Sequence, residues 1–252
     1  MKKRILIFFF LGIFISACQP EKDSFTIYTI GDSTMADKKP EVYPETGWCQ
    51  VIAEYFDESV TVKNHAVNGR STKSFIGEGR WESILDSLKP GDYVFIQFGH
   101  NDQKKYDSTR YATPFGTYSG NLKKFIIESR EKGAAPVLFT PIVRRKFGGN
   151  GKLVDTHGDY PKAMRQVADE LEAPLIDLQR ITEEWVNSLG DEPSKEMYLW
   201  TRPGGKYLEG RKDNTHLSEE GAKQVARFAL QECEKQNLDI SEKLKLDILT
   251  IK

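Results

Sequence analysis

The chain has 252 residues, 38 % of them hydrophobic, with 36 basic and 37 acidic side chains and a formal net charge of −1. That length fits one medium domain with its own core, and the charge balance excludes the net basic face of a nucleic-acid binder. Three cysteines and four histidines, none clustered at metal-ligand spacing, predict no metal site.

The N-terminus reads as an export signal. Lys2, Lys3 and Arg4 precede an apolar stretch over 5–15, short for a membrane span and right for a signal-peptide core. Ile15-Ser16-Ala17-Cys18 reads as a bacterial lipobox, predicting cleavage before Cys18 and lipidation of that residue. Residues 1–17 are then the signal peptide, 18–24 a lipidated cysteine with a polar tether, and 25–252 the folded domain. Loss of the three cations takes the net charge from −1 to −4. The expected location is periplasmic or cell-surface, with the membrane touched only through the lipid on Cys18.

Strand-like and helix-like segments then alternate, the mark of a parallel sheet covered on both faces. Strands are predicted at 25–30, 60–64, 93–98, 137–140 and 175–178, short and rich in Val, Ile and Phe. Helices are predicted at 47–56, 81–88, 118–132, 160–171, 181–189 and 219–235. Ser218 suits the N-cap of the last, with Glu219 and Glu220 favoured by the helix dipole. Cys49 and Cys233 are expected as buried free thiols on separate helices, the alternative being one disulfide. Segments 36–46, 103–116, 144–158 and 191–212 carry turn chemistry and are expected to line a cleft on the carboxyl edge of the sheet.

Four polar blocks fall at the ends of these elements. Gly31-Asp32-Ser33 closes the first strand, Asn68-Gly69-Arg70 follows the second and Gly99-His100-Asn101-Asp102 the third. Asp213-Asn214-Thr215-His216 stands in a predicted loop before the last helix. Each alone is an ordinary turn; the coincidence at successive strand ends carries the meaning.

A serine hydroxyl is a weak nucleophile and needs a base oriented by a third group. Of the four histidines, His65 reads as a packed residue, His100 as an organiser of its own turn, and His157 as a pocket-lining or helix-capping residue. His216 has Asp213 three residues earlier, close enough for the carboxylate to hold Nδ1 and free Nε2 for Ser33. The developing oxyanion needs preorganised donors. The Ser33 N–H, the Gly69 N–H and the Asn101 amide are the candidates.

The set Ser33, Gly69, Asn101 and His216 resembles the SGNH (GDSL-type) hydrolases, whose name gives those four residue types, over nearly all of 25–252. The resemblance implies a flavodoxin-like three-layer α/β/α sandwich with a central five-stranded parallel sheet. It also implies Ser33 as nucleophile, His216 as base and acid, Asp213 as its orienter, and an oxyanion hole of Ser33, Gly69 and Asn101. No cofactor is implied.

Thr29-Ile30-Gly31-Asp32-Ser33-Thr34-Met35, Asn68-Gly69-Arg70-Ser71-Thr72, Gln97-Phe98-Gly99-His100-Asn101-Asp102 and Asp213-Asn214-Thr215-His216-Leu217 look like the rhamnogalacturonan acetylesterase branch, as does Thr156-His157-Gly158-Asp159-Tyr160-Pro161. That branch implies deacetylation of pectic polysaccharide, and the chain is expected to act as a monomer. The alternatives are an acetylxylan, small-acyl or lipid esterase, or a non-catalytic surface glycan-binding lipoprotein. His157, Arg202 and Trp200 are the expected substrate contacts. Arg144, Arg145, Lys146, Lys206, Arg211 and Lys212 are expected near the cleft to recognise uronate carboxylates, and Tyr207 to stack on a sugar face.

Overall fold

Five short strands set the architecture: β1 (Phe25–Gly31), β2 (Val60–Asn64), β3 (Tyr93–Gln97), β4 (Ala135–Phe139) and β5 (Leu175–Ile176), with the edge strand β2 exposing Thr61 and Lys63 on one face. The structure, a computed structural model, describes residues 24–245, so the signal segment 1–17 and the lipidation site Cys18 lie outside the described residues. All four pairings are parallel and the order is β2-β1-β3-β4-β5. β1 is central to the site, pairing with β2 on one side and β3 on the other, so that Thr29 stands opposite both Asn64 and Phe95.

The two-residue period of a strand divides the core into two layers. Ile27, Phe95, Val137, Phe139 and Ile176 face one side, against α1 (Trp48–Val51), α6 (Leu178–Leu189) and α8 (Glu219–Lys235). Tyr28, Ile30, Val94, Ile96 and Leu138 face the other, against α2 (Thr72–Gly77), α3 (Arg80–Leu85), α4 (Ser119–Glu131) and α5 (Asp159–Glu170). Helix, sheet, helix: the expected three-layer sandwich with a five-stranded parallel sheet is the one observed.

The differences from expectation have local causes. The predicted helix 47–56 is α1 followed by a 3₁₀ turn over Ile52–Tyr55. The predicted strand 175–178 stops at Ile176, because α6 starts early on a polar dock: Thr140 Oγ1 donates to Asp177 Oδ1 (3.0 Å) and accepts from the Gln179 N–H (2.8 Å). The predicted loop 191–212 holds a short helix, α7 (Asp191–Ser194), and the strand β6 (Tyr198–Thr201). Asp213 and His216 stand on a strand, not in a loop: β7 (Arg211–Leu217) pairs antiparallel with β6 across an irregularity between Tyr198 and Trp200. Ser218 caps α8 as expected, its side chain accepting from Gly221 N–H at 3.1 Å.

Cys49 on α1 and Cys233 on α8 are both buried and free, as expected. Burial pushes the Cys233 thiol up to about 12 and raises Cys49 as well, so both are inert packing groups. Among the described residues no helix is long and apolar enough to cross a membrane.

This order reverses direction between β1 and β3, and open α/β sheets form their crevice outside the carboxyl ends of the strands at such a switch point. Ser33 follows β1 and Asn101 follows β3.

Candidate active site

The turn after β1 is built to lift one side chain into solvent. Asp32 is buried and organises it: Oδ1 accepts from the Thr34 N–H at 2.9 Å, while the Asp32 carbonyl accepts from Met35 and Ala36 N–H. A Cβ on Gly31 would lie 2.3 Å from Met35 Sδ and 2.7 Å from the Gln97 carbonyl, so only glycine fits there. Between Gly31 and Ala36 every residue is buried except Ser33.

β7 brings the base to that serine. His216 Nε2 lies 3.0 Å from Ser33 Oγ, and His216 Nδ1 lies 2.8 Å from Asp213 Oδ2. Asp213 Oδ1 accepts from the Thr215 and His216 N–H groups at 2.8 and 3.0 Å, fixing its rotation, and Arg211 adds an ion pair at 3.1 Å. Burial pushes the Asp213 carboxyl up; the hydrogen bond and charge of His216 and the two backbone donors outweigh it and hold it well below the usual range. An ionised Asp213 fixes the proton on Nδ1 and leaves the Nε2 lone pair for the serine hydroxyl.

The oxyanion donors come from three turns tied together. The Val67 N–H donates to the Gly31 carbonyl at 3.0 Å, locking the turn after β2 to the nucleophile turn. Gly69, at φ +79, adopts a conformation that glycine reaches without strain. Asn101 Nδ2 donates to the Arg70 carbonyl at 2.9 Å, and its Oδ1 accepts from Lys104 Nζ at 2.7 Å, so the amide is fixed with one N–H unspent. Among the described residues no acceptor takes the N–H of Ser33 or of Gly69. Three donors thus stand on one edge of the sheet without a protein acceptor.

Residues 29–224 match the GDSL-like Lipase/Acylhydrolase family. The chain belongs to that family. It is therefore a carboxylic ester hydrolase of the Ser-His-Asp type. It is 41 % identical over 225 residues to the rhamnogalacturonan acetylesterase RhgT of Bacillus subtilis strain 168, spanning 88 % of this chain and 95 % of that one. The crystal structure of Bacillus subtilis YxiM superposes with a TM-score of 0.73 at 29 % identity, covering 86 % of this chain and 58 % of that longer one. An acetylxylan esterase from Geobacillus stearothermophilus shares the fold at 19 % identity and a TM-score of 0.61, covering 84 % of this chain and 96 % of that one.

The cleft at Ser33 is about 230 Å³ and is walled by Asn101, Asp213 and His216 together with two cations, Lys104 and Arg144. Burial lowers the pKa of both cations. A larger cavity of about 650 Å³ is lined by the turn after β2, Asn68, Gly69 and Arg70, and Asn101 on the cleft bonds that turn at the Arg70 carbonyl. Arg144 is therefore where the sequence placed it, on the cleft, with Nη2 donating to the His100 carbonyl at 3.2 Å.

The other expected substrate contacts lie outside the lining of that cleft. His157 is buried, with Nε2 at 2.8 Å from the Ile142 carbonyl and its ring 4.7 Å from that of His100, so it packs under the site and lines no part of the cleft. Arg145 is enclosed: it donates to Ser194 Oγ and Asn214 Oδ1 at 3.0 Å each and pairs with Asp191, bracing the hairpin that carries His216. Trp200 donates Nε1 to Asn214 Oδ1 at 2.8 Å and lies under Lys195, Arg145 and Lys212, in a separate cleft. Arg202 is exposed in the connection between β6 and β7, and Tyr207 donates its hydroxyl to the Val42 carbonyl at 3.0 Å. His65 stacks on Tyr28, 5.8 Å between centroids.

Sequence reasoning missed one pair. His100 Nδ1 lies 3.1 Å from Asp32 Oδ2, both groups sealed from solvent, tying the turn after β3 to the turn after β1. The organising role expected for His100 is the signal that pointed there; its partner was not legible.

Proposed function

We propose that the protein removes O-acetyl groups from acetylated pectic polysaccharide through an acetyl-Ser33 intermediate. The observation that carries the chemistry is the unbroken chain Asp213–His216–Ser33, with links of 2.8 and 3.0 Å, opening on a cationic cleft. Ser33 Oγ attacks the acetyl carbonyl while His216 Nε2 takes its proton. The oxyanion is held by the N–H groups of Ser33 and Gly69 and the free N–H of Asn101 Nδ2. Collapse breaks the bond to the sugar oxygen, which receives the proton from Nε2. Water then attacks the acetyl-enzyme under the same base, acetate leaves, and Ser33 is restored.

Arg144 and Lys104 favour a polymer that carries carboxylates, and the similarity to RhgT points to the same substrate class. The lipobox-like Ile15-Ser16-Ala17-Cys18 supports the reading of an exported lipoprotein anchored through Cys18 as the setting of this activity. Acetate release from acetylated rhamnogalacturonan and from acetylated neutral xylan, at rising salt, tests the substrate. Faster release from the uronate polymer, declining with salt as charge is screened, is the expected result. Equal rates without a salt effect overturn the pectic assignment.

A further inference from the structure

The cavity of about 650 Å³ beside the ester site lies in the size range of small-molecule sites, and the reaction leaves it unused. Its walls are the turn after β2, helix α2 and the loop before α4, and they carry three cations, Arg70, Lys73 and Arg110, against two carboxylates, Glu78 and Asp107.

Both carboxylates hold arginines, Asp107 with both of its oxygens bonded and Glu78 through Oε2 alone. Glu78 Oε2 accepts from Arg70 Nε at 3.1 Å and Arg80 Nε at 2.6 Å. Asp107 accepts from Thr109 N–H and Oγ1 through one oxygen and from Arg110 Nε (2.6 Å) through the other, which also forms an ion pair with Arg110 Nη2 at 2.5 Å. These bonds hold Arg110 along its Nε edge and leave Nη1 open, while Arg70 is held at Nε and also spends Nη1 on the Asn68 carbonyl at 2.9 Å. Among the described residues, Arg70 Nη2 and Arg110 Nη1 carry no hydrogen bond, whereas Lys73 Nζ is taken by the Ser108 carbonyl at 2.7 Å.

The open nitrogen of Arg110 stands beside the ester site. Arg110 Nη1 is 3.7 Å from where a Cβ on Gly69 would be, and is the nearest atom to that point. Gly69 is the oxyanion donor assigned above, so a group held by Arg110 is the neighbour of the ester being cleaved. Gly77 also lines the cavity, and a Cβ there would meet nothing within 4 Å. A planar guanidinium held by its Nε edge, offering Nη protons into a cavity, suits a carboxylate.

We propose that this cavity is a carboxylate subsite, in which Arg110 and Arg70 take a uronate carboxylate of the polymer chain whose acetyl group lies at Ser33. The proposal rests on the assignment of Gly69 to the oxyanion hole, and it names the residues that read the polymer.

Two variants attack it differently. Arg110→Gln removes the donor, and Gly77→Phe fills the cavity without changing charge. Two readouts are taken. One is the ratio of kcat/KM on acetylated rhamnogalacturonan to that on p-nitrophenyl acetate; the other is inhibition of p-nitrophenyl acetate hydrolysis by an unacetylated oligogalacturonide. Each variant is expected to lower the ratio about tenfold or more, chiefly through KM, the scale of one charged hydrogen bond. Each is also expected to weaken oligogalacturonide inhibition by a similar factor.

Ratios and inhibition within twofold of the parent in both variants overturn the subsite. If the parent deacetylates the pectic polymer yet the variants match it, the subsite fails and the substrate assignment stands. If inhibition depends on Arg110 while acetate leaves only from xylan, the substrate assignment fails and the subsite stands.

Discussion

Asp213–His216 and Asp32–His100 are the same chemical pair, a carboxylate and an imidazole joined through Nδ1, at 2.8 and 3.1 Å. They stand on the same edge of the same sheet and differ in what surrounds them. His216 is 27 % exposed and its Nε2 meets Ser33, whereas His100 is 3 % exposed and its Nε2 has no hydrogen-bond partner among the described residues. Burial keeps His100 neutral despite the opposing pull of Asp32. For Asp32, burial pushes the carboxyl up, and the bonds from His100 and Thr34 outweigh it and keep it ionised. The first pair can pass a proton to and from a reacting group; the second has no exit for one and serves as a tie between two turns. Access and aim, not the pairing itself, separate a catalytic base from a brace.

The largest expected effect is at the serine. Ser33→Ala should lower kcat by about 10⁶, measured on any acetyl ester that the parent turns over. Asp213→Asn should lower it by about 10⁴, because the wrong tautomer is then favoured. Asn101→Ala removes one oxyanion donor and should reduce kcat by about 10²–10³.

His100→Leu breaks the comparison most cleanly. It leaves Asp32 buried and unpaired, which costs about 3–5 kcal/mol of stability in a denaturant titration. Its kcat, corrected for the folded fraction, should fall by about one decade, against the four expected in Asp213→Asn. A loss as large as that of Asp213→Asn makes the buried pair part of the catalytic machinery and ends the distinction drawn here.

The smallest effect concerns Asp102, also buried at this edge. Burial lifts its carboxyl to about 7, against the bonds from the Thr72 N–H and hydroxyl to Oδ1, while Oδ2 has no partner. Between the model-compound value of 3.8 and about 7 the folded state binds more protons than the unfolded one, so stability falls as pH rises through that window and is level above it. Asp102→Asn removes that dependence. Its Tm relative to the parent should improve from pH 4 to pH 7 and then hold constant in thermal scans.

Much of this edge is legible in the sequence because each block sits where an apolar run ends. Ser33, Asn101 and Gly69 could be placed from their strands alone. β7 could not: Arg-Lys-Asp-Asn-Thr-His-Leu lacks the alternation that marks a half-buried strand, and pairing with β6 makes it one. Helix α2 is equally silent, being short and capped by a reciprocal Ser71–Ser74 pair where the usual sequence signal carries Glu or Gln. Arg144 and Arg145 are adjacent and identical in type, yet one faces the cleft and the other is locked to Ser194, Asn214 and Asp191. Nothing local distinguishes them. Only the packing of the hairpin does.

Ser33, activated by His216, is the residue that accepts the acyl group. Labelling with diethyl p-nitrophenyl phosphate, read by intact-mass and peptide mass spectrometry, tests it directly. One diethylphosphoryl adduct on the peptide containing Ser33, absent in Ser33→Ala and strongly slowed in His216→Ala, is the predicted result. An adduct on another residue that accompanies full loss of activity, or labelling undiminished in Ser33→Ala, would contradict the account.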